Sequence, residues 1–426
     1  MGSLRPAAAG PLCSVLVQAD EALDSGELGR TAHVAEVPGE RLLGRLLDRA
    51  HWTPPALVAP LITQEIADIG GREVAIFLQD YEQLNLMPLP GEGLEADGPE
   101  PIDGSFAGRA FSGDVLVERP EPDGVRLFLP LLDGSDRVGV LAYTLAAVDD
   151  ADRRLALRLA GLVADIIVTK GLYTDHFFLI RRRRPMALAA EMQWQLLPPL
   201  TMDTPSVACA GILEPAYEVG GDSFDYALNG QTLHVAIIDA MGHALNAAVM
   251  ATVSVSAYRH ARRAGVGLAD LYAAMDSAVA QQFGDDTFVT AQMAQLDCRS
   301  GRLSWVNAGH HPPLLLRRRR VLGSLTSETT LPVGFGGAAP QISEVQLEPN
   351  DRVLLFTDGV IEERMPDGER FGEHRLVDLV GRVSLEELNV QETVRRLSHA
   401  LMRERGGATS DDASLFLLEW RRTDST

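Results

Sequence analysis

Two short, almost purely apolar runs in the second half of the chain lead into aspartate: Leu233 to Ile238 runs straight into Asp239, and Arg352 to Phe356 stops two residues before Asp358. Runs of four to eight residues rich in Val, Ile and Leu read as strands covered on both faces, since a strand with one wet face alternates apolar with polar residues. Such strands need cover, and the chain supplies it. An Ala-rich stretch from about Leu245 to Ala264 is made of good helix formers. Val390, Val394, Leu397 and Leu401 form one apolar stripe behind a capping pattern, Asn389 to Glu392. Thr290 to Leu296 and Leu303 to Asn307 flank a five-residue loop, Asp297 to Gly301, as a hairpin does. Leu415 to Trp420 reads as a last strand. Strands in excess, with long helices between some of them, predict stacked sheets flanked by helices, with the acids at one edge.

The chain has 426 residues, too many for one ordinary domain. With 46% hydrophobic and 23% charged residues it can bury cores of its own. Acidic residues outnumber Lys and Arg by 59 to 38, and a formal charge of -21 disfavours unspecific binding to nucleic acid or anionic membranes. Cys13, Cys209 and Cys298 are odd in number and lack CxxC spacing, so neither a disulfide framework nor a zinc site is implied, and a cytoplasmic location is expected. Arg158, Asp165 and Lys170 break the longest greasy stretch, Leu155 to Leu172, so it does not read as a membrane span.

In the first half, residues 1–50 read as a partly helical leader. Thr53 and Pro54 start a helix that carries Leu57, Leu61, Ile62 and Ile66 and stops at Gly70 and Gly71. Strand-like runs follow at Glu73 to Leu78, Leu84 to Leu89, Asp114 to Glu118, Val125 to Leu132 and Val138 to Leu145, the last two joined by turn chemistry at Asp133 and Gly134. A helix from about Asp149 to Lys170 closes the unit. This α+β layout, and the hairpin from Pro130 to Leu141 above all, resembles a GAF domain over residues 51–170. The resemblance implies a small-molecule or protein signal, or a dimerising role, without identifying a ligand. Residues 171–198 read as a two-part helical connector interrupted by Arg181 to Arg184 and Pro185 and ended by Pro198 and Pro199. The arginine run is expected to be a solvated stretch or a domain seam, with an acidic docking partner as the sharper option.

Asp222, Asp239, Asp358 and Asp411 carry the chemistry. A lone Asp at a strand end is usually a turn former, but four in one region, three of them beside Gly or another Asp, point to oxygen ligands for Mg²⁺ or Mn²⁺. Carboxylates gathered in a partly desolvated place repel one another, and a pair of cations relieves that repulsion. Two such ions can hold and acidify a water for in-line attack on phosphorus. The chain lacks a Gly-x-Ser-x-Gly elbow and a Gly-x-x-x-x-Gly-Lys loop, so phosphoester hydrolysis is the reaction this inventory supports.

The segments Gln195 to Pro198, Glu218 to Asp225, Asp239 to His243, Phe288 to Ala291, Asn307 to His310, Leu331 to Gly334, Thr357 to Glu362 and Asp411 to Ser414 together resemble SpoIIE-type serine/threonine phosphatases. These are the RsbU-like branch of the metal-dependent PPM phosphatases. The resemblance implies an α-β-β-α sandwich over residues 199–426, two Mn²⁺ or Mg²⁺ ions, and as substrate a phosphorylated STAS-type anti-sigma-factor antagonist. By position, Asp239 resembles the carboxylate bridging both ions. Asp222 and the backbone carbonyl of Ala240 would complete one shell, while Asp358 and Asp411, favoured over its neighbour Asp412, would hold the other ion. Asp239, Asp222 and Asp358 are the expected catalytic set, and Asp225 is expected either to be structural or to support the ligands from behind.

Ala244 stands where the family often has glycine, so a methyl would constrain the backbone there if the position needs positive φ. His243, His310 and His311 are each expected to be structural, with a general acid as the minority reading. Arg317 to Arg320 are expected on a solvated loop, with phosphoprotein docking as the alternative. The whole then reads as a GAF-like sensor, a connector with Gln193 to Leu197 as its transmitting segment, and a phosphatase acting in sigma-factor regulation as a homodimer. The rivals are a catalytically weak scaffold that only binds an anti-sigma antagonist, and a two-metal phosphodiesterase.

Overall fold

The computed structural model describes residues 38–95, 98–134, 136–218, 220–284, 286–337, 339–365, 368–406 and 412–422. Asp411 and most of the expected leader lie outside the described residues. The first half runs α1 (Pro38–Ala50), α2 (Val58–Ala67), β1 (Arg72–Gln79), β2 (Asn85–Pro88), β3 (Glu100–Pro101), α3 (Phe106–Gly113), β4 (Val117–Glu121), β5 (Gly124–Asp133), β6 (Asp136–Leu145) and α4 (Asp150–Gly171). Its six strands make one antiparallel sheet in the order β3-β2-β1-β6-β5-β4. One face packs against α1, α2 and α4 through Leu42, Leu46, Ile62, Ile66, Leu159 and Val163. The other carries α3, with Phe111 on Phe77 and Phe128.

The expected strands and closing helix are present, with shifts of physical origin. Asp149 caps α4 by accepting from the amides of Ala151 and Asp152, as a capping box requires. The strand expected from Asp114 starts at Val117, because Asp114 takes the left-handed conformation (φ 54°) that ends α3. Helix α1, in the expected leader, is part of the first core: Leu42 and Leu46 are fully buried.

Two short helices, α5 (His176–Ile180) and α6 (Leu188–Leu196), lead to the second half. There follow β7 (Thr201–Asp203), β8 (Val207–Glu214), β9 (Asp222–Asn229), β10 (Thr232–Ala240), α7 (Ala244–Arg263), α8 (Leu268–Phe283), β11 (Val289–Asp297), β12 (Arg302–Ala308), β13 (Leu314–Arg317) and β14 (Arg320–Ser324). The chain continues with β15 (Thr329–Thr330), β16 (Ser343–Gln346), β17 (Arg352–Phe356), α9 (Gly359–Glu362), α10 (Gly372–Ser384), α11 (Val390–Glu404) and β18 (Ala413–Trp420).

Two six-stranded sheets result: β15-β12-β11-β10-β9 with β16 beside β12, and β14-β13-β17-β18-β8-β7. Their facing side chains, among them Phe224, Val235, Ile237, Leu355, Phe416 and Leu418, form one core. Helices α7 and α8 cover the outer face of the first sheet through Ala251, Val255, Leu271 and Met275. Helices α10 and α11 cover the second through Leu376, Val380, Val394 and Leu397. Both faces of β10 and β17 are therefore dry, which is why their sequences are continuous apolar runs. The four layers are helix, sheet, sheet, helix.

Arginines 181 to 184 lie at the seam between the halves. Arg181 donates from Nε to the Gln79 carbonyl at 2.9 Å and stacks over Tyr81, Arg182 pairs with Glu191, and Arg183 and Arg184 reach Glu82. The arginines at 317 to 320 turn between β13 and β14 at the sheet end opposite Asp358. Arg317 is held by Asp351 and Glu348, and Arg319 pairs with Glu387.

Candidate active site

The antiparallel register of β9 and β10 sets Asp222 directly opposite Asp239. Paired Cα atoms in such a ladder lie about 4.5–5.5 Å apart, so the two carboxylates share one end of the sheet. From the facing sheet, β17 runs out through Thr357 to Asp358, and β18 begins just after Asp412. Glycine brings these ends together. A Cβ on Gly221 would stand 2.3 Å from the carbonyl oxygen of Ala240, and one on Gly359 would stand 1.9 Å from that of Asp412. No side chain fits in either place, so both strand ends close up only with glycine there.

Asp222 is buried, and its surroundings are built from every neighbouring element. Its Oδ2 accepts from the Thr357 hydroxyl at 2.5 Å, its backbone N–H donates to Asp412 Oδ2 at 2.6 Å, and its carbonyl accepts from Gln193 Nε2 on α6 at 2.5 Å. Thr357 in turn accepts from the Ser414 amide at 2.8 Å, which ties β17 to β18. Burial, then the fields of Asp412 and Asp239, push the Asp222 carboxyl well above the ordinary carboxylate range against the Thr357 bond. The Asp358 carboxyl is also raised, by burial and by Glu362, with His311 opposing. Asp412 is buried.

The structure thus brings Asp222, Asp239, Asp358 and the Ala240 carbonyl to one rim. Sequence reasoning missed the bracing role of Asp412, for which adjacent aspartates leave no distinguishing pattern. It also missed Thr357, whose only signal was its place in the Thr357-to-Glu362 segment. Among the described residues no three His, Cys, Asp or Glu side chains already converge tightly enough to cage an ion.

Asp225, three residues along β9, faces the other way into a clamp. Its carboxylate accepts from Arg259 at 2.6 Å and from Arg262 at 2.5 Å, while Arg259 also donates to the Leu196 carbonyl at the end of α6. That is the structural role expected of it. His310 is structural too: its Nε2 donates to the Phe356 carbonyl at 3.1 Å, its Nδ1 accepts from Thr290 at 2.7 Å, and burial drives its pKa down to about 3. His311 stacks on Phe356 at 6.1 Å and is the histidine whose field reaches Asp358. Ala244, the first residue of α7, has φ 61°. The methyl therefore sits where the backbone prefers glycine.

Residues 229–421 match the family Stage II sporulation protein E (SpoIIE). Over 243 residues the chain is 22% identical to the phosphoserine phosphatase RsbU of Bacillus subtilis, covering 54% of this chain and 68% of RsbU. Over 192 residues it is 26% identical to the phosphoserine phosphatase RsbP of the same organism, covering 43% of this chain and 47% of RsbP. The matched stretches span between 40% and 68% of the curated relatives' own lengths. The solved RsbU and RsbW domains of Rv1364c from Mycobacterium tuberculosis overlay with a TM-score of 0.46 at 24% identity, over 54% of this chain and 64% of that one. Over residues 229–421 the chain is therefore similar to the SpoIIE family, and the curated relatives it resembles there include the phosphoserine phosphatases RsbU and RsbP.

Proposed function

We propose that the second half is a metal-dependent protein serine/threonine phosphatase acting on a phosphorylated regulatory protein, an anti-sigma-factor antagonist of the STAS type, under control of the first half. We read residues 51–170 as a GAF-like sensor, 171–198 as the connector and 199–426 as the phosphatase, working as a homodimer. One observation carries the reading. Asp222 and Asp239 face each other across the β9–β10 ladder, and the Asp358 and Asp412 ends meet them from the facing sheet; Asp239, Asp358 and Asp412 lie inside the segment, residues 229–421, that matches SpoIIE.

The donor set fits hard cations. Carboxylates and one carbonyl are oxygen donors, and Asp222 is buried beside two like charges, an arrangement that a cation relieves. Asp222, Asp239 and the Ala240 carbonyl would hold one ion, and Asp358 with Asp411 the other. Mn²⁺ or Mg²⁺ so held would acidify and orient a water for in-line attack on phosphorus.

The chain's own part is placement. Thr357 fixes the Asp222 carboxylate, the Asp412 bond to the Asp222 amide locks β9 to the facing sheet, and Gln193 presses α6 onto the same residue. That last bond makes α6 a transmitting segment: a shift of the connector moves the Asp222 backbone directly. Phosphate release from a phosphoseryl STAS protein in Mn²⁺ tests the reading, with Asp239→Asn and Asp358→Asn expected inactive. Turnover of residues 185–426 that equals the full chain under every signal tried would refute control by the first half.

One observation favours a second reading, a catalytically weak scaffold: Ala244 at φ 61°, five residues after Asp239. A wild-type chain that binds the phosphoprotein and releases no phosphate, with Ala244→Gly restoring release, would establish it.

A further inference from the structure

Helix α11 touches the first half with one face and, with another, the sheet whose strands lead to the candidate active site. Asn389, Glu392, Arg395 and His399 recur every three or four residues, so they share a face. On that face Arg395, 1% exposed, donates to Asp103 Oδ1 at 2.6 Å and is paired within the helix to Glu392. Arg395 also donates to His399 Nδ1, which leaves His399 Nε2 to donate to the Glu82 carbonyl at 3.0 Å. Asn389 Nδ2 donates to Asp114 Oδ2 at 3.0 Å, and Arg137, from β6, bonds Asp114 and reaches Asn389 Oδ1 at 3.3 Å. Asp103, Asp114, Arg137 and Glu82 all belong to the first half.

Elsewhere the same helix is bonded to β8, the strand beside β18, and the residue that follows it is bonded to the turn after Asp358. Ser398 donates to Glu214 Oε1 at 3.0 Å, and Glu214 is the strand partner of Ala413, the residue after Asp412. Arg405, just past the helix end, donates to the carbonyl of Val360, two residues after Asp358. The Val360 amide bonds back to the Thr357 carbonyl at 3.1 Å. The stripe of Val390, Val394, Leu397 and Leu401 packs the helix on its sheet as one rigid piece.

We propose that α11 is a second route by which the first half governs the metal edge: the charge cluster of Asp103, Asp114, Arg137 and Arg395 fixes the helix, and the helix fixes the Asp358 and Asp412 loops. This rests on the phosphatase reading for its functional consequence, and it differs from the α6 contact in acting on the opposite sheet. Coupling of this kind requires one element whose position both regions bias, and α11 is bonded to each.

The test uses the full chain with the double variant Asp103→Asn, Asp114→Asn, which alters only first-half side chains. Glu118→Gln is the control, because its partner Arg153 lies in the same half. Amide hydrogen exchange of residues 357–363 is expected to speed up about five-fold or more in the double variant. The Mn²⁺ concentration giving half-maximal turnover of p-nitrophenyl phosphate is expected to move by a similar factor, and the control to match wild type in both. Exchange at 357–363 that stays at the wild-type rate in the double variant, whatever residues 389–399 do, overturns the proposal. A wild-type chain with no Mn²⁺-dependent turnover sinks the phosphatase reading instead, and the exchange comparison still decides whether α11 couples the two regions.

Discussion

In the first half, buried Glu65 lies between the guanidinium groups of Arg45 and Arg49, at 2.8 and 2.9 Å, whereas in the second half buried Asp222 has a hydroxyl for its bond and two further carboxylates in its field. Other interior acids follow Glu65: Asp225 meets Arg259 and Arg262, and Asp351 meets Arg317. A protein ordinarily neutralises a buried acid with a cation of its own. Asp222 lies instead in the field of two further carboxylates, Asp412 and Asp239, where two sheets meet, and that contrast separates acids held by arginine from an acid buried among its like.

Breaking the contrast at its strongest point gives the largest effect. Asp239→Asn or Asp358→Asn is expected to cut Mn²⁺-dependent phosphate release about 1000-fold, since metal assistance is worth several kcal/mol, while thermal unfolding of the metal-free chain shifts little. Steady-state release with a phosphoseryl protein checks this. The mirror experiment is Glu65→Gln, which should lower stability by about 1–3 kcal/mol and leave the Mn²⁺ dependence of turnover unchanged. A Glu65 variant that lost metal response would erase the distinction between the two kinds of acid.

Glu214 sharpens the comparison, because it is an interior acid bonded to a hydroxyl, Ser398, rather than to an arginine. Burial, with Glu82 and Asp80 of the first half adding to it, raises its pKa from 4.5 to about 8. The folded state then keeps a proton that the unfolded chain has released, so this residue's contribution to stability falls as pH rises from about 4.5 to 8. Glu214→Gln is expected to flatten that decline, with the gain in melting temperature over wild type larger at pH 8 than at pH 5. The smallest effect belongs to Ala244→Gly. Relief of a left-handed alanine is worth about 1 kcal/mol, or roughly 2–4 °C in the melting of a domain this size, and differential scanning calorimetry would register it.

Much of the second half was legible because covered strands and striped helices write themselves into sequence. The runs into Asp239 and Asp358, the Ala-rich helix and the stripe from Val390 to Leu401 correspond to β10, β17, α7 and α11. Short or weakly patterned pieces were not legible. Helix α3 contains Gly108 and packs it where a Cβ would meet the Ile102 carbonyl at 1.7 Å, so close packing chose glycine against helix propensity. Strands β13 to β16 have at most five residues each, too few to establish a period. At the rim, Asp222, Asp239 and Asp358 could be named from their glycine-flanked and strand-end settings, while Asp411 lies outside the described residues. The bonds from Thr357, Asp412 and Gln193 to Asp222 join residues up to 190 positions apart, and no local pattern encodes them.

Counting bound Mn²⁺ by the loss of its free-ion paramagnetic resonance signal tests the central claim most directly. The wild-type chain should take up about two ions, and Asp222→Asn and Asp239→Asn should each reduce that uptake sharply. Equal Mn²⁺ uptake by wild type and both variants would contradict the assignment of this rim as the metal centre.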